Sequence, residues 1–169
     1  MTVLLRPGTL DDMPALGQVF YRSRFAAYRE IIAPEDLEAV PAEALTAWWT
    51  ERWTYERDTH RFTVAERDGR LVGFTYIGPD EDDDAALQLY AIHLEPEEQG
   101  RGTGKALMID ALAHMAGRPA VLWVLTDNAR TRRFYERGGW APDGRKRIGT
   151  IGTADVEMLR YRYWLGEGT

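Results

Sequence analysis

The sequence contains no cysteine, which excludes disulfide bonds, thiolate catalysis and zinc sites built on cysteine ligands. It has three histidines, His60, His93 and His114, and their spacing does not match a metal site, so we expect no metal cofactor. Its single serine, Ser23, lies outside any nucleophile-elbow motif. Chemistry through a covalent enzyme intermediate is therefore not indicated.

Long apolar runs are also missing, and the opening residues MTVLLRPGTLDD lack the basic and apolar regions of a signal peptide. We therefore expect a cytoplasmic protein with no membrane partner. A formal net charge of -6 argues against a nucleic-acid partner. Arginine and lysine nevertheless crowd the segment from Arg130 to Arg147, which leaves a local anion site open.

The 169 residues, 44% of them hydrophobic, suit one domain spanning 1–169. Strand and helix patterns alternate in the order of a mixed α/β sheet with helices packed on it. Thr9 and Asp12 form a capping box that predicts a helix through about Tyr28, and Asp68-Gly69 predicts a tight hairpin. Two closing strands, roughly APDGRKRI and DVEMLRYRYWL, are predicted with GTIGT as the turn between them.

The stretch EEQGRGTGKALM, Glu97 to Met108, places a glycine-rich loop directly before a helical pattern. The first N–H groups of a helix lack partners within the helix and attract anions, so a phosphate group is the expected ligand. The spacing fits neither a Walker A loop, because Ala106 follows Lys105, nor a dinucleotide fingerprint, because no third glycine follows at the required distance. The remaining candidate ligand for this loop is a pyrophosphate group bound without a metal ion.

These residues match a family. LYAIHLEPEEQGRGTGKALM resembles the acyl-CoA motif Q/R-x-x-G-x-G/A of the GCN5-related N-acetyltransferases (GNAT), with Gln99, Gly102 and Gly104 at the defining positions. LWVLTDNARTRRFYERGGW resembles the second motif of that family. YREIIAPEDL and VEMLRYR resemble the branch that acetylates small amines and N-termini, of the phosphinothricin-acetyltransferase-like or ribosomal-protein-alanine-acetyltransferase-like kind.

The resemblance implies a single-domain GNAT fold, which is a mixed, mostly antiparallel seven-stranded sheet with helices on both faces. It implies acetyl-CoA as the acetyl donor, with CoA as product and no metal. The acceptor would be a primary amine, either a small molecule or a peptide N-terminus, that attacks directly.

The resemblance also implies roles for individual residues. A bulge in the YAIHL strand would expose backbone groups at Ile92 and Leu94, with the Ile92 N–H as the oxyanion donor. Tyr135 would lie near the sulfur as general acid, since a phenol of pKa about 10 can protonate a thiolate; a purely packing role is the alternative. The remaining acetyl-CoA contacts would be Gln99, Gly100, Arg101, Gly102, Thr103, Gly104, Lys105 and Asn128, the last with an N-cap role as alternative or addition.

The general base is where the sequence departs from the family. Many relatives carry a glutamate where this chain has Gln88, and an amide accepts no proton near neutral pH. This favours an acceptor amine of low pKa, such as an α-amine at about 7.7–8.0. His93 is the alternative base, but strict alternation would point it away from Gln88, Tyr90 and Ile92, and only the bulge could reverse that.

The acceptor is expected to approach over the first helices and the FTYIGP–LQLY hairpin, with Tyr28, Tyr76, Gln88 and Tyr90 as contacts. The DEDDD turn could attract a cationic amine. Two other functions stay open: a non-catalytic acyl-CoA-binding domain, and a nucleotide-phosphate binder that the missing Ser/Thr disfavours. MLRYRYWL could form the edge of a homodimer.

Overall fold

One sheet runs through residues 2–163, the part of the chain that the computed structural model describes. Its strands are β1 (Leu4–Pro7), β2 (Arg61–Arg67), β3 (Arg70–Pro79), β4 (Leu87–Leu94), β5 (Ala120–Leu125), β6 (Trp140–Ile151) and β7 (Ala154–Tyr163). The helices are α1 (Met13–Tyr28), α2 (Pro34–Glu38), α3 (Ala42–Glu56), α4 (Thr103–Met115) and α5 (Ala129–Arg137), with 3₁₀ turns at Leu10–Asp12 and Pro96–Glu98. The strand order is β1-β2-β3-β4-β5-β7-β6, and only β4 and β5 are parallel.

Helices cover both faces of this sheet. On one face α4 and α5 bury Met108 and Tyr135 against β5 and β7. On the other face α1 and α3 bury Leu16 and Trp49 against Phe74 of β3. The predicted fold class, a mixed and mostly antiparallel seven-stranded sheet with helices on both faces, is confirmed.

Two local signals produce the predicted turns. Thr9 and Asp12 form the capping box, with the Thr9 N–H donating to Asp12 Oδ2 at 2.8 Å, and the helical segment that follows ends at Tyr28. Asp68 and Gly69 both adopt positive φ, 54° and 77°, which suits the twist of the β2–β3 hairpin they connect. Both predictions are confirmed.

A bulge interrupts β4 at Tyr90. Ala91 pairs with Tyr76 and Leu89 with Ile77, so Tyr90 is the extra residue. The bulge predicted in the YAIHL segment is therefore present. Beyond it the alternation of side chains is reversed, and His93 lies on the same face as Tyr90, where it contacts Phe74.

The two closing strands differ from the prediction in their turn. β6 continues to Ile151, which is buried in a cluster with Ile32 and Leu37, so the turn is only Gly152-Thr153 rather than GTIGT. β7 lies between β5 and β6. Contrary to the prediction, its segment Met158–Tyr163 therefore does not form an edge of the sheet, and the edge strands are β1 and β6. The final Trp-Leu of MLRYRYWL lies outside the described residues.

Candidate active site

β4 and β5 separate at the point where the predicted site residues lie. The two strands pair only at Leu87–Ala120 and Gln88–Val121 and diverge beyond. Their carboxyl ends lead into α4 and α5, whose N-termini therefore lie at the same edge of the sheet. Such a gap, open at the carboxyl ends of parallel strands, is a common place for ligands in α/β proteins.

The bulge decides which backbone groups of β4 face this gap. Before it, the Leu87 N–H donates to Pro119 at the start of β5. After it, the Glu95 N–H donates to Val72 on the β3 side. Because successive N–H groups along a strand point to opposite sides, those of Ile92 and Leu94 point into the gap.

The loop before α4 presents a set of free backbone donors. Gly100 and Gly102 adopt φ of +80° and +86°, and a Cβ at either would meet open space. The amides of Thr103, Gly104 and Lys105 form the first turn of α4, where no intrahelical acceptor exists. Together with the exposed side chain of Lys105, they form a site suited to an anion.

A buried carboxylate beneath the loop holds it in place, and no local pattern predicts it. Glu98 is 2% exposed and accepts hydrogen bonds from Arg67 Nε at 3.0 Å, Thr103 Oγ1 at 2.9 Å and Arg101 Nη1 at 3.3 Å. Burial raises the pKa of Glu98, but the bonds from Arg67 and Thr103 and the charges of the arginines outweigh it and leave the pKa below its ordinary value. Of the predicted acetyl-CoA contacts, Gln99 lies exposed in the same loop, whereas the Thr103 side chain is buried.

Asn128 and Tyr135 lie on the α5 side of the gap. Asn128 is buried and caps α5, its Oδ1 accepting from the Thr131 N–H at 3.3 Å, so the predicted N-cap role is confirmed. Tyr135 is 7% exposed and packs near the rings of Trp140 and Tyr161. Its hydroxyl has no hydrogen-bond partner within residues 2–163.

Across the gap from Tyr135 lies the C-terminal half of α1. Burial is the main cause that raises the pKa of Tyr135, and the nearby phenol of Tyr28 adds to it. Burial also raises the pKa of Tyr28, and the charge of Arg24 opposes that shift. Both phenols therefore stay protonated over the physiological pH range.

His93 faces the same half of α1. Its Nδ1 lies 2.9 Å from Ser23 Oγ, and its ring packs edge-on against Phe20 at 4.8 Å. Burial, with a smaller contribution from the charge of Arg24, lowers the pKa of His93 to about 3. The imidazole is neutral at physiological pH and a weak proton acceptor there.

The predicted acceptor residues have different surroundings. Tyr90 is partly exposed, and burial followed by the charge of Glu81 raises its pKa to about 12. Gln88 is 4% exposed, and its Oε1 has no partner within the described part of the chain. Tyr76 is fully buried and donates to Glu56 Oε1 at 2.9 Å, which makes it a core residue that supports this face.

A charged cluster from α3, which sequence reasoning missed, adjoins these tyrosines. The Arg52 guanidinium lies 4.4 Å from the centre of the Tyr90 ring and 4.9 Å from that of Tyr76. Arg52 also pairs with Glu56, and Glu56 Oε2 lies 3.1 Å from His60 Nε2. The sequence shows only the i, i+4 spacing of Arg52, Glu56 and His60, the last of which follows α3; the tyrosines come from distant strands.

Two charged segments named in the sequence lie apart from each other. Part of the DEDDD turn meets β6, with Glu81 3.6 Å from Arg147. In α5, Arg132 bonds to the Tyr161 hydroxyl and the Thr126 carbonyl, whereas Arg130, Arg133 and Arg137 are exposed.

A loop with free amides that opens onto a split between parallel strands is the arrangement of proteins suited to a phosphate-bearing ligand. The match between this sequence and a protein family is more specific than the geometry of the site. Residues 25–140, more than half of the chain, match the Acetyltransferase (GNAT) family, and the chain belongs to this family.

Two curated relatives differ in how much of them the chain covers. Mycothiol acetyltransferase of Acidimicrobium ferrooxidans is 35% identical over 113 residues, which are 64% of this chain and 34% of that protein. The chain thus spans about a third of the length of that relative. "Probable N-acetyltransferase Rv2775" of Mycobacterium tuberculosis is 26% identical over 145 residues, 85% of this chain and 82% of that protein.

A solved structure shares the fold over nearly the whole chain. It is the PaiA N-acetyltransferase from Thermoplasma acidophilum in complex with coenzyme A. The TM-score is 0.79 at 22% identity, covering 96% of this chain and 100% of the other.

Residues 2–163 contain neither a metal-binding cluster nor a membrane-spanning helix. No three or more His, Asp and Glu side chains come together there to hold a metal ion. Among the helices of that part of the chain, none is long and apolar enough to cross a membrane.

Proposed function

We propose that this protein transfers the acetyl group of acetyl-CoA to a primary amine by direct attack, as one N-acetyltransferase domain spanning residues 1–169. The observation that carries the proposal is the β4–β5 gap. A phosphate-type site, the loop before α4, lies at one end, and the α1 face, formed by Phe20, Ser23, Arg24 and Tyr28, lies at the other. Family membership and the coenzyme A complex of the PaiA N-acetyltransferase support the same donor.

The residues around the gap fit acetyl-CoA. The free amides of the loop and the exposed Lys105 would hold the pyrophosphate, with Gln99 and Arg101 beside them. The backbone N–H groups of Ile92 and Leu94 and the side chain of Asn128 would hold the amide-rich pantetheine arm. When bound, acetyl-CoA supplies an acetyl group activated as a thioester.

In the transfer a C–N bond forms as the C–S bond breaks. The Ile92 N–H would stabilise the developing oxyanion, and such a donor contributes about 3 kcal/mol in other enzymes. Tyr135 would donate its proton to the departing thiolate and recover one from water. No protein group competes for this proton, because the hydroxyl has no partner within residues 2–163. The raised pKa of Tyr135 keeps the phenol protonated until the thiolate forms and makes it a weaker acid than a free phenol.

The proton of the attacking amine passes to water in this proposal. Gln88 is an amide, and the lowered pKa of His93, about 3, weakens the case for that residue as base. An amine that is substantially neutral near pH 7.5, such as an α-amine, can attack without a side-chain base. We therefore place small α-amines and peptide N-termini before alkylamines such as lysine.

The test is release of free thiol from acetyl-CoA across a panel of amines at about pH 7 to 9. The protein has no cysteine and adds no thiol of its own. Release with α-amines and little with alkylamines is the expected result. No release with any amine would contradict acetyl transfer.

The same lack of a side-chain base favours a second candidate, a non-catalytic acyl-CoA-binding domain. That protein would bind acetyl-CoA without releasing thiol and would be indifferent to Tyr135→Phe. Cytoplasmic location and homodimer formation remain predictions from the sequence.

A further inference from the structure

Within residues 2–163, Arg24 on α1 is a cation without a counter-charge. Its guanidinium lies 4.9 Å from the centre of the Phe20 ring, and it is close enough to influence the pKa values of His93 and Tyr28. Within residues 2–163 no carboxylate forms an ion pair with it, and its side chain has no hydrogen-bond acceptor.

Two other arginines, one on α1 and one on α3, are paired with carboxylates. Arg22, two residues away on α1, pairs with Glu95, and Arg52 pairs with Glu56. Arg24 is partly buried, and its loss of water lowers its pKa, with only the phenol of Tyr28 opposing that shift. Because a poorly solvated charge costs free energy unless it is paired, and no carboxylate of residues 2–163 pairs with Arg24, this guanidinium is suited to an anion supplied by a ligand.

The position of Arg24 narrows the identity of that anion. The phosphate-type site is at the N-terminus of α4, whereas Arg24 lies on α1 close to His93 and Tyr28, and Tyr28 in turn lies close to the proposed acid Tyr135. Arg24 also lines a small cleft with Tyr21, Phe25, Leu37 and Leu45. The anion therefore belongs to the acceptor.

We propose that Arg24 binds a carboxylate of the acceptor, so that the substrate is an amine that also carries a carboxylate close to the reacting nitrogen, as in an amino acid. This inference rests on the proposed function. A guanidinium pairs with a carboxylate through two parallel hydrogen bonds, which would fix the position of the amine as well as select the substrate.

Binding and turnover are tested separately with matched probes. The probes are the common L-amino acids and their carboxamides, in which an amide replaces the carboxylate; because this change also lowers the pKa of the α-amine, turnover is compared at a pH where both amines are largely neutral. Binding is measured by calorimetry on protein saturated with CoA, where no transfer occurs, and turnover by thiol release from acetyl-CoA. We expect at least one amino acid to bind about tenfold or more tightly than its carboxamide, the effect of a charge-assisted pair.

Three variants test whether Arg24 causes the preference for a carboxylate. Arg24→Gln is expected to abolish the preference for the carboxylate while CoA affinity and thermal stability stay the same or rise, since an unmatched charge is removed. Arg24→Lys is expected to retain part of the preference. Arg29→Gln, an exposed neutralisation at the end of the same helix, is expected to change nothing.

The outcomes separate this proposal from the proposed function. Carboxylate-dependent binding that Arg24→Gln removes, without thiol release, would keep Arg24 as an anion-binding residue and reject acetyl transfer. Thiol release with equal use of acids and amides would keep the transferase and overturn the role of Arg24. Loss of CoA affinity in Arg24→Gln, or no amino acid preferred over its amide, would also overturn it.

Discussion

At the scale of single residues, Tyr135 carries the proposed chemistry. General acid catalysis contributes about 100-fold or more to rate, so Tyr135→Phe should lower kcat by at least that factor while acetyl-CoA affinity is kept. Steady-state kinetics and calorimetry on the same preparation measure both quantities. Tyr161→Phe, which removes a hydroxyl that accepts from Arg132 and donates to Glu136, is the control for loss of a buried phenol oxygen. An unchanged kcat in Tyr135→Phe would favour the acyl-CoA-binding alternative.

His93 makes a prediction about pH. Since its pKa lies at about 3, the rate should show no inflection near 6.5 that belongs to this residue. A profile of kcat/KM from about pH 5 to 9 in wild type and His93→Gln measures this. An inflection near 6.5 that disappears in the variant would restore His93 as the base.

The same residue should make the fold sensitive to acid. The folded pKa of about 3 lies below the ordinary value of 6.5, so between these values the unfolded chain binds the additional proton. Folding is therefore destabilised as the pH falls from 6.5 towards 3, by up to about 1.4 kcal/mol per pH unit, and is unaffected above 6.5. Denaturant titrations at several pH values should show a smaller acid loss in His93→Gln than in a His114→Gln control.

At the scale of elements, the loop before α4 combines strained backbone with an open surface. Gly102 and Gly117, at opposite ends of α4, have φ of +86° and +83°, and neither would place a Cβ against another atom. Replacing either by alanine should lower the free energy of unfolding by about 1 kcal/mol. Only Gly102→Ala should also weaken acetyl-CoA binding, because its methyl group would cover the free amides. Equal affinities in the two variants would argue against phosphate binding at this loop.

Glu98 makes the loop dependent on a buried ion pair. Glu98→Gln removes the carboxylate that Arg67 binds and should lower the free energy of unfolding by about 3 kcal/mol. Because the pKa of Glu98 is lowered on folding, this stabilisation is complete above the ordinary value of 4.5 and is lost as the pH falls through the folded pKa.

Glu97→Gln is the matched control for Glu98→Gln. Glu97 is exposed and lies 3.7 Å from an exposed Arg70, so the change should be about 0.5 kcal/mol or less. Urea unfolding at neutral and acid pH measures both variants. Equal losses in the two would mean that burial of the Glu98 pair contributes nothing.

At the scale of the whole molecule, the sheet is weakest where the ligand is proposed to bind. β4 and β5 pair at two positions only, so a ligand that contacts both α4 and α5 would join the two halves. At a concentration of about 100 times its Kd, acetyl-CoA should stabilise the fold by about 2.7 kcal/mol. Thermal unfolding across a range of acetyl-CoA concentrations measures this, with ATP as the control. A midpoint that does not move would contradict acetyl-CoA binding.

How much the sequence predicts depends on whether the signal is local. The Asp68-Gly69 hairpin and the Thr9–Asp12 capping box are encoded within a few residues and were predicted correctly. The length of β6 was missed because Ile151 stays in the strand through burial against α2, which lies more than 100 residues earlier.

The candidate site also contains features that a local sequence pattern predicts and features that depend on the fold. The loop from Gln99 to Lys105 is one continuous motif, so its residues could be named from the sequence. The ion pair between Arg67 and Glu98 could not be predicted from the sequence, nor could the lack of an ion pair at Arg24 within residues 2–163. Ion pairs between distant residues exist only once the chain is folded.

The position of β7 between β5 and β6 also fixes when the site can be completed during synthesis. β5 pairs with β4 at two positions but with β7 at six. A nascent chain that has emerged only through α5 therefore carries the glycine loop and β4 while β5 lacks its main partner. On the ribosome this intermediate would have the glycine loop on the β4 side of the gap but no fully paired β5 on the other side. The complete site for acetyl-CoA would therefore form only after β7 has been made.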